Sequence, residues 1–239
     1  MVDFGEILEP SSRAFWDDFD YDISETNESD DKHFSLIEWE WYTEDKNEPS
    51  YASISTFYVI EGTGMQDFLE SALIKRQRPI GGLKNKNVLM YHVQTRNQII
   101  LFSLENNLNI SAVVAKYFKK FLEISEKVYT FSLQSKIHYK NEETKDVFNS
   151  LVIIRSINSE IDWITEIKSP NFITGIAAGV ATIRFLNNQH YSCYIAYTDP
   201  LNELDAFIAK PILKLFQEIK IDCDTEYTSK YKDSSLLYM

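Results

Sequence analysis

The glycine pair Gly62 and Gly64 is the pattern in this chain that comes nearest to a cofactor signature. It falls between a predicted strand and a predicted helix, where a dinucleotide-binding turn places its first two glycines. The third glycine of that fingerprint is replaced by Asp67, whose charge would repel a pyrophosphate. The signature for nucleotide binding is therefore incomplete, and no phosphate-binding loop or Gly-x-Ser-x-Gly nucleophile turn occurs elsewhere.

The other side chains that could bind a metal or transfer protons are scattered along the sequence. No two histidines have the spacing of metal ligands on one helix face, and Cys193 and Cys223 are far apart without ligand spacing. The histidines are His33, His92, His138 and His190. Asp199 follows a predicted strand, where a catalytic carboxylate can lie, but the favoured interpretation is a cap for the next helix. We therefore predict a protein that is not an enzyme and that has no catalytic residues, metal or cofactor.

Composition indicates what kind of partner this chain can have. With 24 Lys and Arg against 36 Asp and Glu, the net charge of -12 disfavours nucleic acid and anionic membranes and favours a basic protein surface. Two widely separated cysteines are typical of a reduced, intracellular protein. No signal peptide or membrane span is predicted, so we expect a cytoplasmic protein that also enters the nucleus.

The periodicity of apolar residues predicts alternating strands and helices. The predicted strands cover 34–42, 51–60, 87–93, 98–104, 128–133 and 191–197, and the predicted helices cover 65–75, 110–122, 172–186 and 204–219. Residues 94–97 are predicted to turn an antiparallel hairpin, and Pro211 to kink the last helix or to start a new piece. Residues 136–144 are predicted to be a loop, whereas 147–157 fit either a helix or a strand. Alternating strands and helices predict an α/β layered sheet.

The two ends of the chain differ from this core. Eight acidic residues and little that could be buried predict a disordered acidic stretch over 17–32. We predict an N-terminal segment over 1–48 with an edge strand, a core over 49–225 and a flexible tail over 226–239. The tail ends in Leu237, Tyr238 and Met239, and an aromatic ring beside a terminal carboxylate suits insertion into a pocket.

One segment and both ends of the chain carry a resemblance to a known family. The segment from His190 to Leu213 reads HYSCYIAYTDPLNELDAFIAKPIL, and it is similar to the last strand, Tyr-Thr-Asp turn and helix of the proteasome assembly chaperone 1 family. Phe4-Gly5-Glu6 resembles the opening of the family, and Leu237-Tyr238-Met239 stands where the family has its proteasome-docking tail. The likeness covers both ends and the last third of the chain.

The resemblance implies a fold, a partner and a site. It implies a three-layer αβα domain with a mixed central sheet and no catalytic machinery. It further implies a heterodimer with a second, related assembly chaperone that holds proteasome α-subunits while their ring forms. Leu237, Tyr238 and Met239 would then insert between α-subunits. The alternatives are an α/β enzyme that handles nucleosides or phosphates near Gly62 or Asp199, and an adaptor of mature proteasomes.

Overall fold

The computed structural model describes residues 37–73, 77–105, 107–140, 150–199, 204, 206–224 and 227. In this part of the chain nine strands form one mixed sheet in the order β1-β3-β4-β5-β2-β6-β9-β7-β8. The strands are β1 (Trp39–Trp41), β2 (Ile54–Glu61), β3 (Gly81–Leu83), β4 (Val88–Val93), β5 (Gln98–Ser103), β6 (Ser125–Ser135), β7 (Val152–Ile157), β8 (Thr165–Glu166) and β9 (Tyr191–Thr198). The helices are α1 (Gln66–Phe68), continued by a π-helical turn at Leu69–Leu73, α2 (Leu108–Tyr117), α3 (Lys119–Glu123), α4 (Gly175–Leu186) and α5 (Ala206–Glu218).

Four neighbouring parallel strands, β5, β2, β6 and β9, form the centre of the sheet. Strand β2 carries Phe57 and Val59 toward one core cluster and Tyr58 and Ile60 toward the other, and all four side chains are buried. Parallel strands that are covered on both faces require apolar residues at successive positions. This requirement explains why 57–60, at the centre of β2, is an uninterrupted apolar run rather than an alternating one.

The predicted hairpin is confirmed. Strands β4 and β5 pair antiparallel, with Val88 opposite Ser103 and Val93 opposite Gln98. The connection is a single 3₁₀ turn over Gln94–Arg96, after which Asn97 adopts a left-handed conformation with φ of 50°. Asparagine accepts this conformation more readily than most residues, so the turn follows from local sequence.

Helices cover both faces of the sheet, which gives the expected three-layer αβα arrangement. On one face, α1 and α5 contribute Phe68, Ile208 and Phe216 to a core cluster, and the Phe216 ring lies 5.0 Å from that of Phe131 on β6. On the other face, α2, α3 and α4 contribute a second cluster that includes Val114, Phe118, Phe121, Ile176 and Val180. The observed fold class is therefore α/β, with a mixed sheet flanked by helices.

Small residues on α4 allow close approach to its neighbours. A Cβ atom added at Gly179 would lie 2.7 Å from the Ala115 Cβ of α2, so the two helices touch at that point. A Cβ atom added at Gly175 would lie 2.5 Å from a carboxylate oxygen of Glu61 at the end of β2. Helix α4 thus packs against a helix and against the sheet end through different glycines.

Several predicted elements differ from the observed ones. The helix predicted over 65–75 is a short α-helix followed by the π turn, and the helix predicted over 110–122 is divided at Phe118 into α2 and α3. Asn107 caps α2 by accepting from the backbone N–H of Asn109, which moves the start of that helix before Ile110. Pro211 lies inside one helix and does not begin a new one. The short strands β3 and β8 were not predicted.

Some predictions were only partly decided. The ambiguous region 147–157 contains strand β7, while its first three residues lie outside the described part, as do 141–144 of the predicted loop. The predicted strand 34–42 is observed only as β1, an edge strand that pairs with β3. The acidic stretch, the opening Phe4-Gly5-Glu6 and the tail lie outside the described residues, so the proposed domain boundaries stay a prediction. None of the helices in the described ranges is long and apolar enough to cross a membrane.

Candidate functional site

A cavity of about 560 Å³ opens at the carboxyl edge of the parallel strands. Strand β2 lies between β5 and β6, and the chain reaches β5 first and then crosses to β6 on the other side of β2. The carboxyl edge beside β2 is therefore a topological switch point. Ligand sites of open α/β sheets commonly form at such points. The walls come from the ends of β2 and β6 and from the start of α4, and they include Glu61, Thr63, Ser132, Leu133, His138 and Gly175.

The buried carboxyl group of Glu61 is the main titratable group of this cavity. One carboxylate oxygen accepts a hydrogen bond from Ser132 Oγ at 2.8 Å, and the other accepts one from the backbone N–H of Ala177 at 3.2 Å. Burial raises the pKa of Glu61 to about 7, although both hydrogen bonds act in the opposite direction. At neutral pH this carboxyl group is therefore divided between its charged and neutral forms.

The hydrogen bonds of Glu61 stabilise the start of helix α4. Thr174, which precedes α4, makes no side-chain capping bond, so the free N–H groups at the start of the helix face Glu61 instead. Gly175 adopts φ of +79°, and its missing side chain leaves the space that the carboxylate occupies. Glu61 thus caps α4 from a distant strand, with the helix dipole favouring its charged form.

Glu61 and Ser132 are hydrogen-bonded as a general base and a nucleophile would be, but both side chains are buried. Ser132 lines the cavity but is only 1% exposed, and its hydroxyl group already donates to Glu61, so little of it is presented to a substrate. The backbone N–H of Gly62, which a phosphate-binding turn would present to its ligand, donates to the carbonyl oxygen of Ser103 at 3.1 Å. Gly62 and Gly64 are therefore part of a sheet-to-helix connection beside a carboxyl group, which is a poor environment for a phosphate.

The other residues considered for chemistry are dispersed in the structure. His138 lines the cavity, His92 is half-buried near Tyr51, and His190 lies 3.6 Å from Glu160. Among the described residues no three histidine, cysteine, aspartate or glutamate side chains form a group that could hold a metal ion. Burial raises the pKa of the Cys193 and Cys223 thiols to about 11, which keeps both protonated at neutral pH.

The remaining predicted positions are not tested by these contacts. Helix α5 begins at Ala206, and residues 200–203 and 205 before it lie outside the described part, so the predicted capping by Asp199 stays a prediction. Leu237, Tyr238 and Met239 also lie outside the described residues. His33 lies outside the described residues as well.

Comparison with solved structures decides the fold. PbaB of Pyrococcus furiosus, described as an archaeal proteasome activator, aligns over 79% of this chain and 91% of its own with a TM-score of 0.53 and 14% identity. PbaA of the same organism, an archaeal homologue of proteasome-assembly chaperone, aligns over 74% and 82% with a TM-score of 0.51 and 14% identity. This chain has the fold of the proteasome-assembly chaperone homologues.

The fold shared with PbaA and PbaB is also found in a Thermoplasma acidophilum protein of unknown function, with a TM-score of 0.50, 9% identity, and coverage of 74% of this chain and 80% of that one. No family model matches the sequence, and the curated proteins give no significant match. At these identities the likeness establishes the fold. A relationship to assembly chaperone 1 in particular stays a prediction.

Glu61 and Ser132 are the residues of this site that sequence reasoning missed. The available signal was weak: Glu61 is a charged residue that ends a run of apolar positions and precedes a glycine. Its partners lie 71 and 116 positions further along the chain. No local pattern could have joined them.

Proposed function

We propose that this chain is a proteasome assembly chaperone that acts as a heterodimer with a second, related chaperone. In this role it holds α-subunits of the 20S proteasome while their ring forms. The observation that carries the proposal is the fold shared with PbaA and PbaB, in a chain whose sequence ends in an apolar residue, a tyrosine and one further residue.

The proposed contact with the ring is made by Leu237, Tyr238 and Met239. Tyr238 would be the aromatic anchor between neighbouring α-subunits, Leu237 would fill the adjoining apolar groove, and the Met239 carboxylate would meet a basic group. A short segment that must become ordered on binding has low affinity by itself. The folded domain must therefore add a second contact that raises the effective concentration of the tail.

The test is affinity purification of the N-terminally tagged chain from its own cells, with mass spectrometry of the co-purified proteins. Four forms are compared: the native chain, a chain lacking residues 237–239, Tyr238→Ala, and Ser234→Ala as a matched tail control. Truncation of a buried aromatic anchor costs about 2 kcal/mol, so we expect the α-subunits to fall by about tenfold or more in both tail variants.

The companion chaperone should be recovered equally with all four forms, because the tail is not proposed to hold it. Ser234→Ala should keep its α-subunits. Equal recovery of α-subunits with Tyr238→Ala and with the native chain would rule out the role assigned to the tail.

The described function of PbaB favours one second candidate, an activator or adaptor of finished proteasomes. The same purification separates the two roles. An assembly chaperone should recover α-subunits without mature β-subunits, whereas an adaptor of finished particles should recover both.

The alternative from a different functional class is an α/β enzyme that handles nucleosides or phosphates. The engaged N–H of Gly62 and the buried Glu61 argue against it. The assembly role predicts that nucleotides and inorganic phosphate leave the melting temperature unchanged, whereas a nucleotide site would raise it. We further propose a location in the cytoplasm and the nucleus, which a fluorescent fusion can test.

A further inference from the structure

Three large apolar side chains are exposed around the mouth of the carboxyl-edge cavity. Leu108 at the start of α2 is 59% exposed, Ile137 after β6 is 78% exposed, and Phe172 before α4 is 69% exposed. All three line the same cavity although they come from three different connections of the fold. Single exposed apolar residues are common, but a group of them beside a cavity is typical of a binding surface.

The connections that carry these three side chains are held in place by side-chain hydrogen bonds. Asn171 Nδ2 donates to the carbonyl oxygen of Lys140 at 2.9 Å, and the backbone N–H of Lys140 donates to Asn171 Oδ1 at 2.8 Å. This reciprocal pair joins the connection that bears Ile137 to the one that bears Phe172. Leu108 follows directly on the capping residue Asn107. The apolar group therefore needs little ordering when a partner binds, which lowers the entropic cost.

Charge at this edge indicates the chemistry of the partner. Lys140 and Lys168 are exposed on the two connections that Asn171 joins. Of the two acids that line the cavity, Glu61 is buried, and Glu105 is half-buried and accepts from the backbone N–H of Asn107 at 2.9 Å. A suitable partner surface is apolar at its centre and carries carboxylates at its margin.

Tyr227, the last described residue, packs against segments that follow the same edge of the sheet. Tyr227 packs its ring 5.1 Å from that of Phe68, which follows the end of β2, and its hydroxyl donates to the carbonyl oxygen of Leu204 at 3.1 Å. Leu204 comes after the carboxyl end of β9. The 12 residues from 228 to 239 can extend up to about 40 Å, so a partner seated on this edge is within reach of the tail.

We infer that the edge surface formed by Leu108, Ile137 and Phe172 is the second contact with the proteasome α-subunit that receives the tail. This inference rests on the proposed function and adds the surface of the folded domain that it requires. The partner is one α-subunit surface with apolar side chains and flanking carboxylates. Edge and tail then bind the same assembly intermediate, and each raises the effective concentration of the other.

The first test compares Ile137→Ser and Phe172→Ser with Leu186→Ser. Leu186 is 71% exposed, and it is the last residue of α4, whereas Phe172 lies before the start of that helix. We expect α-subunit recovery to fall at least about fivefold for each edge variant and to stay at the native level for Leu186→Ser. Circular dichroism melting curves of all variants should coincide, because the replaced side chains are exposed.

The second test identifies what touches the edge in the complex. A photo-crosslinking benzoylphenylalanine is placed at position 172 or, as a control, at position 186 of the full chain, and the adducts are identified by mass spectrometry. We expect α-subunit adducts from position 172 and none from position 186. If the native chain recovers α-subunits but position 172 crosslinks only to the companion chaperone, or the edge variants bind normally, the inference is wrong and the proposed function stands. If the native chain recovers no α-subunits, both fail.

Discussion

Glu61 shows how a single buried carboxyl group can connect distant parts of this fold. It ends β2, accepts from Ser132 on β6 and caps α4 through Ala177. Its pKa of about 7 lies above its usual value of 4.5 because burial outweighs the hydrogen bonds. A carboxyl group with a raised folded-state pKa supports folding fully below pH 4.5, and this contribution is lost as the pH rises through 7.

The replacement Glu61→Gln tests this pH dependence. The neutral amide keeps an acceptor for the Ala177 N–H, and Ser132 can rotate to accept from the new NH₂ group. We expect nearly equal unfolding free energies at pH 4.5 and an advantage for Glu61→Gln at pH 8 of up to about 3 kcal/mol. Urea unfolding across this range measures it, with the exposed Glu70→Gln as control. A constant difference between the two chains at all pH values would contradict the assigned pKa.

Gly175 tests the space that the carboxylate needs. In Gly175→Ala the new Cβ would lie 2.5 Å from Glu61 Oε1, in a backbone with φ of +79° that alanine tolerates poorly. We expect a loss of about 2–4 kcal/mol in unfolding free energy.

The matched control for that replacement is Gly64→Ala. Its Cβ would lie 3.6 Å from Leu133 Cδ2, an ordinary contact, and Gly64 has no unusual φ. We expect a change within about 1 kcal/mol, measured by the same urea unfolding. Equal losses for both variants would show that Gly175 has no special role.

At the scale of elements, Arg184 fastens α4 to the far end of the sheet. Its guanidinium group is 1% exposed and donates five hydrogen bonds to the carbonyl oxygens of Leu122, Ser125, Glu126 and His190. These carbonyls belong to the end of α3, the start of β6 and the connection into β9. Helix α4 is thus held by Glu61 at its first turn and by Arg184 at its last.

Replacement of Arg184 by Met should therefore be costly. Met fills much of the volume but leaves the buried carbonyl oxygens without donors, so we expect a loss of about 3 kcal/mol or more. Arg184→Lys should recover only part of this loss, because one ammonium group cannot reproduce the planar fork. Thermal unfolding measures the series, with the exposed Lys119→Met as control, for which a change within about 0.5 kcal/mol is expected. A similar loss for Lys119→Met would contradict the special role of Arg184.

At the scale of the whole molecule, net charge should set the salt dependence of partner binding. The chain carries -12, and complementary charges on a partner are screened as ionic strength rises. We expect α-subunit affinity to fall several-fold between about 0.05 M and about 0.3 M NaCl, mainly through the association rate. Surface plasmon resonance can follow this change, and a melting curve at both salt concentrations checks the fold. An affinity that rises with salt would show that apolar contacts dominate.

The sequence by itself determined the elements whose signals are local. The period of apolar residues in 110–122, the β-branched and aromatic residues that dominate 51–60 and the turn at Asn97 depend on neighbours a few positions away, so composition and spacing carry them. The resemblance of His190 to Leu213 and the two chain ends added the fold class, which the shared architecture of PbaA and PbaB confirms. The docking role of the tail stays a prediction.

The tertiary structure alone decided the features that depend on distant partners. Residues 152–157 became a strand because they pair with β9, and the short strands β3 and β8 exist only because longer strands provide their hydrogen bonds. Contacts between residues 58 to 116 positions apart in the sequence give Glu61, Ser132, Gly175 and Arg184 their roles. The contact of Arg184 with His190, six positions away, is local. The same holds for the exposed group Leu108, Ile137 and Phe172, because a sequence gives the period of a segment but not which segments the fold brings to one edge.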